Sequence, residues 1–182
     1  MLKTTQPLGV KMKKIALFVD EVYEDLELWY PKIRLEEAGF QVSIAGPVAG
    51  QIYKGKHGYP CKADLSFKEA AAKAFDAVVI PGGFAPDRLR RSSDVLHSVK
   101  ETFSKGKIVA FICHGGWVPI SAKILKGRQV TGTVAIKDDL ENAGAIWLDQ
   151  AVVIDGNLIS SRTPLDLAVF AKAIVEQVNG KL

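Results

Sequence analysis

The chain is predicted to adopt an α/β fold with a mostly parallel sheet, and three features predict it. Strand-length apolar runs alternate with helical patterns, as in repeated βαβ units. Runs such as Ile15-Ala16-Leu17-Phe18-Val19 stop far short of the roughly 20 apolar residues a membrane-spanning helix needs, so no membrane partner is expected. A length of 182 residues, 48% of them hydrophobic, suffices to bury the core of one domain. That domain is placed at 13–182, behind a flexible, basic N-terminal tail at 1–12 that lacks the apolar core of a signal peptide.

The elements follow in chain order. Strands are expected at 14–19, 42–45, 77–80 and 108–112. A helix at 25–38 would place Leu26, Trp29, Ile33 and Ala38 near one face, with acids Glu24-Asp25 at its start and Gly39 as its stop. A second helix is expected at 94–105, capped by Ser93, with Val95, Leu96, Val99 and Phe103 inward and Gly106 beyond its end. His97 falls on its polar side. The last helix starts at Thr163-Pro164, a cap followed by proline at the first helical position, and runs to about 178. Runs 151–154 and 158–160 flank Asp155-Gly156-Asn157, a hairpin signal that adds antiparallel strands. Region 51–66, with Gly55 and Gly58 around His57, reads as a further short strand excursion of unassigned register.

Composition removes several function classes. The net charge of +4 is spread over many lysines, without the basic, aromatic-interleaved run of a nucleic-acid groove. Two cysteines, Cys61 and Cys113, make no disulfide framework and suit a reducing compartment, so a cytoplasmic location is expected. His57 and Cys61 do not form a metal pair, because Gly58 and Pro60 intervene and no further ligands cluster nearby; no metal is expected.

Ligands of open α/β sheets bind at the carboxyl ends of the strands, and three such ends carry chemistry here. They are Asp20-Glu21-Val22-Tyr23-Glu24-Asp25, Pro81-Gly82-Gly83-Phe84 and Cys113-His114-Gly115-Gly116. In the third, a buried run stops at cysteine and turns on glycines into a helix, the shape of a nucleophile elbow whose helix N-terminus favours thiolate. The plainer reading makes Cys113 a small hydrophobe closing a core strand. The Gly83 and His114 amides would form an oxyanion hole, or Gly82-Gly83 is an ordinary turn lacking the spacing and lysine of a phosphate loop. Glu24 is either the carboxylate beside the thiol or a solvated acid of the first helical turn. His114 follows Cys113 directly, where side chains diverge, and needs a partner acid.

These segments resemble the ThiJ/PfpI family of the class I glutamine amidotransferase-like superfamily, in its intracellular-protease-like branch, over residues 13–178. The resemblance rests on Glu24-Asp25-Leu26-Glu27-Leu28 with Tyr30-Pro31, Gly55-Lys56-His57-Gly58-Tyr59, Pro81-Gly82-Gly83, Ile112-Cys113-His114-Gly115, Ile136-Lys137-Asp138-Asp139 and Ser160-Ser161-Arg162. It implies a flavodoxin-like three-layer sandwich with helices on both faces of the sheet, no cofactor, and a homo-oligomer, dimer or hexamer, with the cysteine near a subunit boundary. Carried across, it makes Cys113 the nucleophile, Glu24 the protonated acid hydrogen-bonded to it, and His114 a partner oriented by an acid of a neighbouring subunit, here Asp87. Two departures stand out: relatives usually carry glutamate where Gly83-Phe84-Ala85-Pro86-Asp87 has Asp87, and proline where this chain has Gly116-Trp117. The implied activity is that of a cysteine-dependent enzyme on small carbonyl compounds or glycated proteins, of glyoxalase or deglycase type, with peptide hydrolysis by the same parts. The rival is a redox-sensing or stress-protective chaperone with an oxidisable Cys113.

Overall fold

Alternation along the first strand sets the layers. In β1 (Lys14–Phe18), Ile15 and Leu17 enter one apolar cluster, while Ala16 and Phe18 enter a second on the other face of the sheet. The computed structural model describes residues 12–180, so all of the expected tail except Met12 lies outside the described residues. The chain continues through α1 (Asp25–Glu37), β2 (Gln41–Gly46), β3 (Ile52–Lys54), β4 (Pro60–Lys62), β5 (Leu65–Ser66), α2 (Phe67–Ala71) and β6 (Ala77–Ile80). It then forms α3 (Ala85–Leu89), α4 (Ser93–Ser104), β7 (Ile108–Ile112), a 3-10 turn over Cys113–Gly116, and α5 (Trp117–Ser121). The last part comprises β8 (Gln129–Val130), α6 (Lys137–Asn142), β9 (Ile146–Trp147), β10 (Val152–Asp155), β11 (Leu158–Ser161) and α7 (Leu167–Val178).

The main sheet has seven strands in the order β10-β11-β7-β6-β1-β2-β5. Every pair is parallel except the β10–β11 hairpin, which the Asp155-Gly156-Asn157 signal anticipates. Leu28 and Leu35 of α1 and Phe170 and Ile174 of α7 fill one core; Val95 and Val99 of α4, Val118 of α5 and Leu140 of α6 fill the other. This is the expected three-layer α/β sandwich. The 51–66 excursion resolves into the antiparallel β3–β4 ribbon, with β5 added to the sheet edge.

Two local expectations need correction. Helix α1 is rotated from the predicted face: Leu28, Pro31 and Leu35 are buried, whereas Leu26 and Ile33 are 58% and 59% exposed. The inward stripe includes a carboxylate, Glu27, so apolar periodicity alone misreads its direction. The cap of α4 is Ser92, whose hydroxyl accepts the Val95 N–H, and Ser93 is already helical. What the topology contributes to function is adjacency: chain reversal sends β2 to one side of β1 and β6 to the other, and the carboxyl ends of β1, β6 and β7 lie side by side.

Candidate active site

Cys113 is held in an uncommon backbone state. Its φ is +59°, in the left-handed region, and it follows five buried residues of β7. The chain can turn this sharply because Gly115 lies against the Ile80 carbonyl, where an added Cβ would sit 2.5 Å from the oxygen. Gly82 is equally constrained. A Cβ there would stand 2.6 Å from Glu27 Oε2 and 2.8 Å from Cys113 Cβ, so this glycine admits both groups to one spot. The result is a cavity of about 410 Å³ at the rim, lined by Cys113, His114, Gly83, Glu24 and Glu27 among others. A larger hollow of about 860 Å³ lies at the opposite ends of the strands, against Lys13, Asp76 and Lys107, and holds none of these groups.

The carboxyl group beside the sulfur is that of Glu27, not Glu24. Glu27 has no exposed surface; its Oε2 accepts the Gly82 N–H at 2.6 Å, its Oε1 is buried without a hydrogen-bond partner among the described residues, and its charge acts on the Cys113 thiol. Burial, opposed by the Gly82 amide and reinforced by the charge of Glu24, pushes the Glu27 carboxyl up to about 7. Glu24, at the extended residue before α1, turns instead toward the 55–59 loop. Its oxygens lie 3.6 Å from Lys56 Nζ and 3.7 Å from His57 Nε2, and it reaches Cys113 only through its charge.

The expectation of a helix-stabilised thiolate is also corrected. Burial first, then the Glu27 charge, push the Cys113 thiol up to about 12, outweighing the His114 N–H that favours the anion. Only a four-residue 3-10 turn and a five-residue helix follow the cysteine. The Cys113–Glu27 pair therefore resists carrying two negative charges at once. His114 does approach its neighbour, with Nδ1 3.4 Å from Sγ, and burial followed by the Lys56 cation lowers its pKa, which favours neutral imidazole. Gly83 lines the cavity at φ +78°, and the bonds flanking it, Glu24 N–H to Gly82 O and Phe84 N–H to Val22 O, leave its own N–H without a partner among the described residues. Asp87 lies on α3, paired with Arg91, and is outside the lining of its own chain's cavity.

Sequence reasoning left Lys56 and His57 without a role, yet both line the cavity. The Asp25 carboxylate holds their loop, accepting the His57 N–H at 2.9 Å and the Tyr59 N–H at 3.0 Å. Glu24, Asp25 and His57 offer atoms within 4.8 Å of one another, but both Asp25 oxygens already accept amides and Lys56 shares Glu24, so the set reads as an ion-pair cluster. Cys61 points into the core, and burial pushes its thiol up to about 11. No helix among the described residues is long and apolar enough to cross a membrane.

Known proteins share this chain's architecture and sequence. Deglycase PfpI of Pyrococcus furiosus is 47% identical over 165 residues, 91% of this chain and 98% of that protein. The deglycase TK1284 of Thermococcus kodakarensis is 46% identical over 163 residues, 90% of this chain and 98% of its own. Among solved structures, Drosophila melanogaster DJ-1beta superposes with a TM-score of 0.89 at 30% identity, covering 94% of this chain and 92% of that one. A two-domain Anabaena variabilis protein, with DJ-1/ThiJ/PfpI-like and ferritin-like domains, matches at TM-score 0.89 and 46% identity over 92% of this chain and 48% of its own. With the profile of the DJ-1/PfpI family matching residues 13–177, the chain belongs to the DJ-1/PfpI family.

Proposed function

We propose that this protein is a cysteine-dependent enzyme acting on carbonyl compounds, of the deglycase or glyoxalase type. The observation that carries the reading is the Cys113 sulfur at a left-handed turn, with Glu27 and His114 against it and a cavity open before it. Relatives named deglycase, at 46% and 47% identity, support the same class. Glu27 takes the proton-holding role that the resemblance assigned to Glu24.

With an α-oxoaldehyde, Cys113 sulfur adds to the aldehyde carbon as its proton passes to Glu27, giving a tetrahedral hemithioacetal. The Gly83 and His114 amides receive the oxyanion. The aldehyde proton then moves through neutral His114 to the adjacent carbon, so the aldehyde carbon is oxidised to a thioester and the ketone reduced to an alcohol. Water cleaves the thioester to a hydroxy acid and restores the thiol. An amine-bound hemiaminal enters the same sequence by losing the amine.

The active form is a cytoplasmic homo-oligomer in which Asp87 orients His114 of a neighbouring subunit. The position of Asp87, half-exposed on α3 and outside its own cavity, supports service across a boundary. The test is methylglyoxal consumption with lactate detection, for the wild type beside Cys113→Ser at matched folding and assembly. Turnover lost in the variant is expected. Equal, negligible rates would reject the carbonyl reading and direct assays to peptide cleavage and to reversible oxidation of Cys113 by peroxide.

A further inference from the structure

Trp117 has no task in that reaction, yet it is anchored as firmly as the residues that do. Its indole lines the cavity beside Cys113 and is only partly buried. Nε1 donates to Asp139 Oδ2 on α6 at 2.7 Å. The Arg90 guanidinium lies 5.6 Å from the ring centre and is itself fixed by Ser121 Oγ at 2.9 Å. The ring meets His114 edge-on, with centroids 5.2 Å apart. Part of the indole packs against the core that holds Val118 and Leu140, and the rest is held from three sides at the cavity wall, which an indole merely facing solvent would not be. Phe84, 66% exposed, and Pro164 add further apolar surface to the same cavity. In one chain alone the space is about 410 Å³, more than a three-carbon oxoaldehyde fills, and the neighbour's Asp87 proposed above would enter it at His114.

We infer that Trp117 is a specificity-determining residue that receives a flat aromatic substituent next to the reacting carbonyl, so that aryl-substituted α-oxoaldehydes are preferred over methyl-substituted ones. The inference rests on the carbonyl reading above. The anchoring matters energetically, because a ring fixed before binding loses little freedom when the substrate stacks on it. An aromatic contact of this kind is worth up to about tenfold in affinity.

The experiment compares kcat/KM for phenylglyoxal and methylglyoxal in the wild type, Trp117→Leu and Trp117→Phe. The wild type should favour phenylglyoxal. Leucine should cut the phenylglyoxal to methylglyoxal ratio about tenfold, through KM for phenylglyoxal, while phenylalanine keeps most of it. A ratio unmoved by leucine overturns the inference, including the case in which both substrates slow together because His114 has lost its support. If the wild type turns over neither aldehyde, the carbonyl reading fails separately, and stacking is then read from the Trp117 indole N–H resonance on addition of benzoylformate or pyruvate. A saturating shift with benzoylformate but not pyruvate supports the aromatic subsite. Equal response to both, or none to either, overturns it.

Discussion

Glu27 is a buried carboxyl with one strong donor, the Gly82 amide, and its position makes the protein's stability depend on pH in a definite direction. Its folded pKa of about 7 stands above its ordinary value of 4.5, so between those values the folded chain binds more proton than the unfolded one. Its contribution is thus fully present below about pH 4.5 and is lost as pH rises through 7, on the order of 3 kcal/mol in all. Glu27→Gln keeps an oxygen for Gly82 and removes the charge. Urea unfolding should find the variant little changed near pH 5 and more stable than wild type by pH 8; a difference that stays flat with pH would refute the assignment. The sequence could not single out this residue. Glu24 and Glu27 are chemically alike and one turn apart, and which one meets the sulfur is decided by the rotation of α1, which its apolar residues misreport.

At the scale of elements, the same helix start organises a loop. Asp25 spans 32 and 34 positions to the amides of His57 and Tyr59, and Lys56 N–H donates to the Tyr23 carbonyl at 2.7 Å. Asp25→Asn retains one acceptor but turns an amide donor toward the second N–H, with an expected loss of about 1 to 3 kcal/mol. Hydrogen exchange should show the His57 and Tyr59 amides opening faster than in the wild type, while those of β1 keep their protection. Unchanged exchange at both would remove the clamp from the account. This explains what was legible. The strands at 77–80 and 108–112 were read to the residue because continuous apolar runs bounded by turn signals define them. The register of 51–66 was not, because a distant carboxylate sets it rather than any local period.

For the whole molecule, parallel topology assembles three chemically loaded strand ends at one rim, and this convergence was readable from the order of strands and turns alone. What a single chain's sequence cannot specify is how copies meet. The trans placement proposed for Asp87 makes a stoichiometric prediction. Asp87→Ala and Cys113→Ser assemblies should each be nearly inactive. Unfolding and refolding them together should recover up to about a quarter of wild-type activity, because a mixed pair contains one complete site. Failure to recover, with subunit exchange verified by mass, would place the acid elsewhere.

The two cysteines differ in access as well as in chemistry. Cys113 opens to the cavity, and Cys61 is 2% exposed between the β3–β4 ribbon and the sheet. The native chain therefore titrates as a one-thiol protein and the unfolded chain as a two-thiol one. Once Cys113 is capped, the appearance of the second thiol becomes a built-in clock for the opening of that ribbon, with no foreign probe introduced.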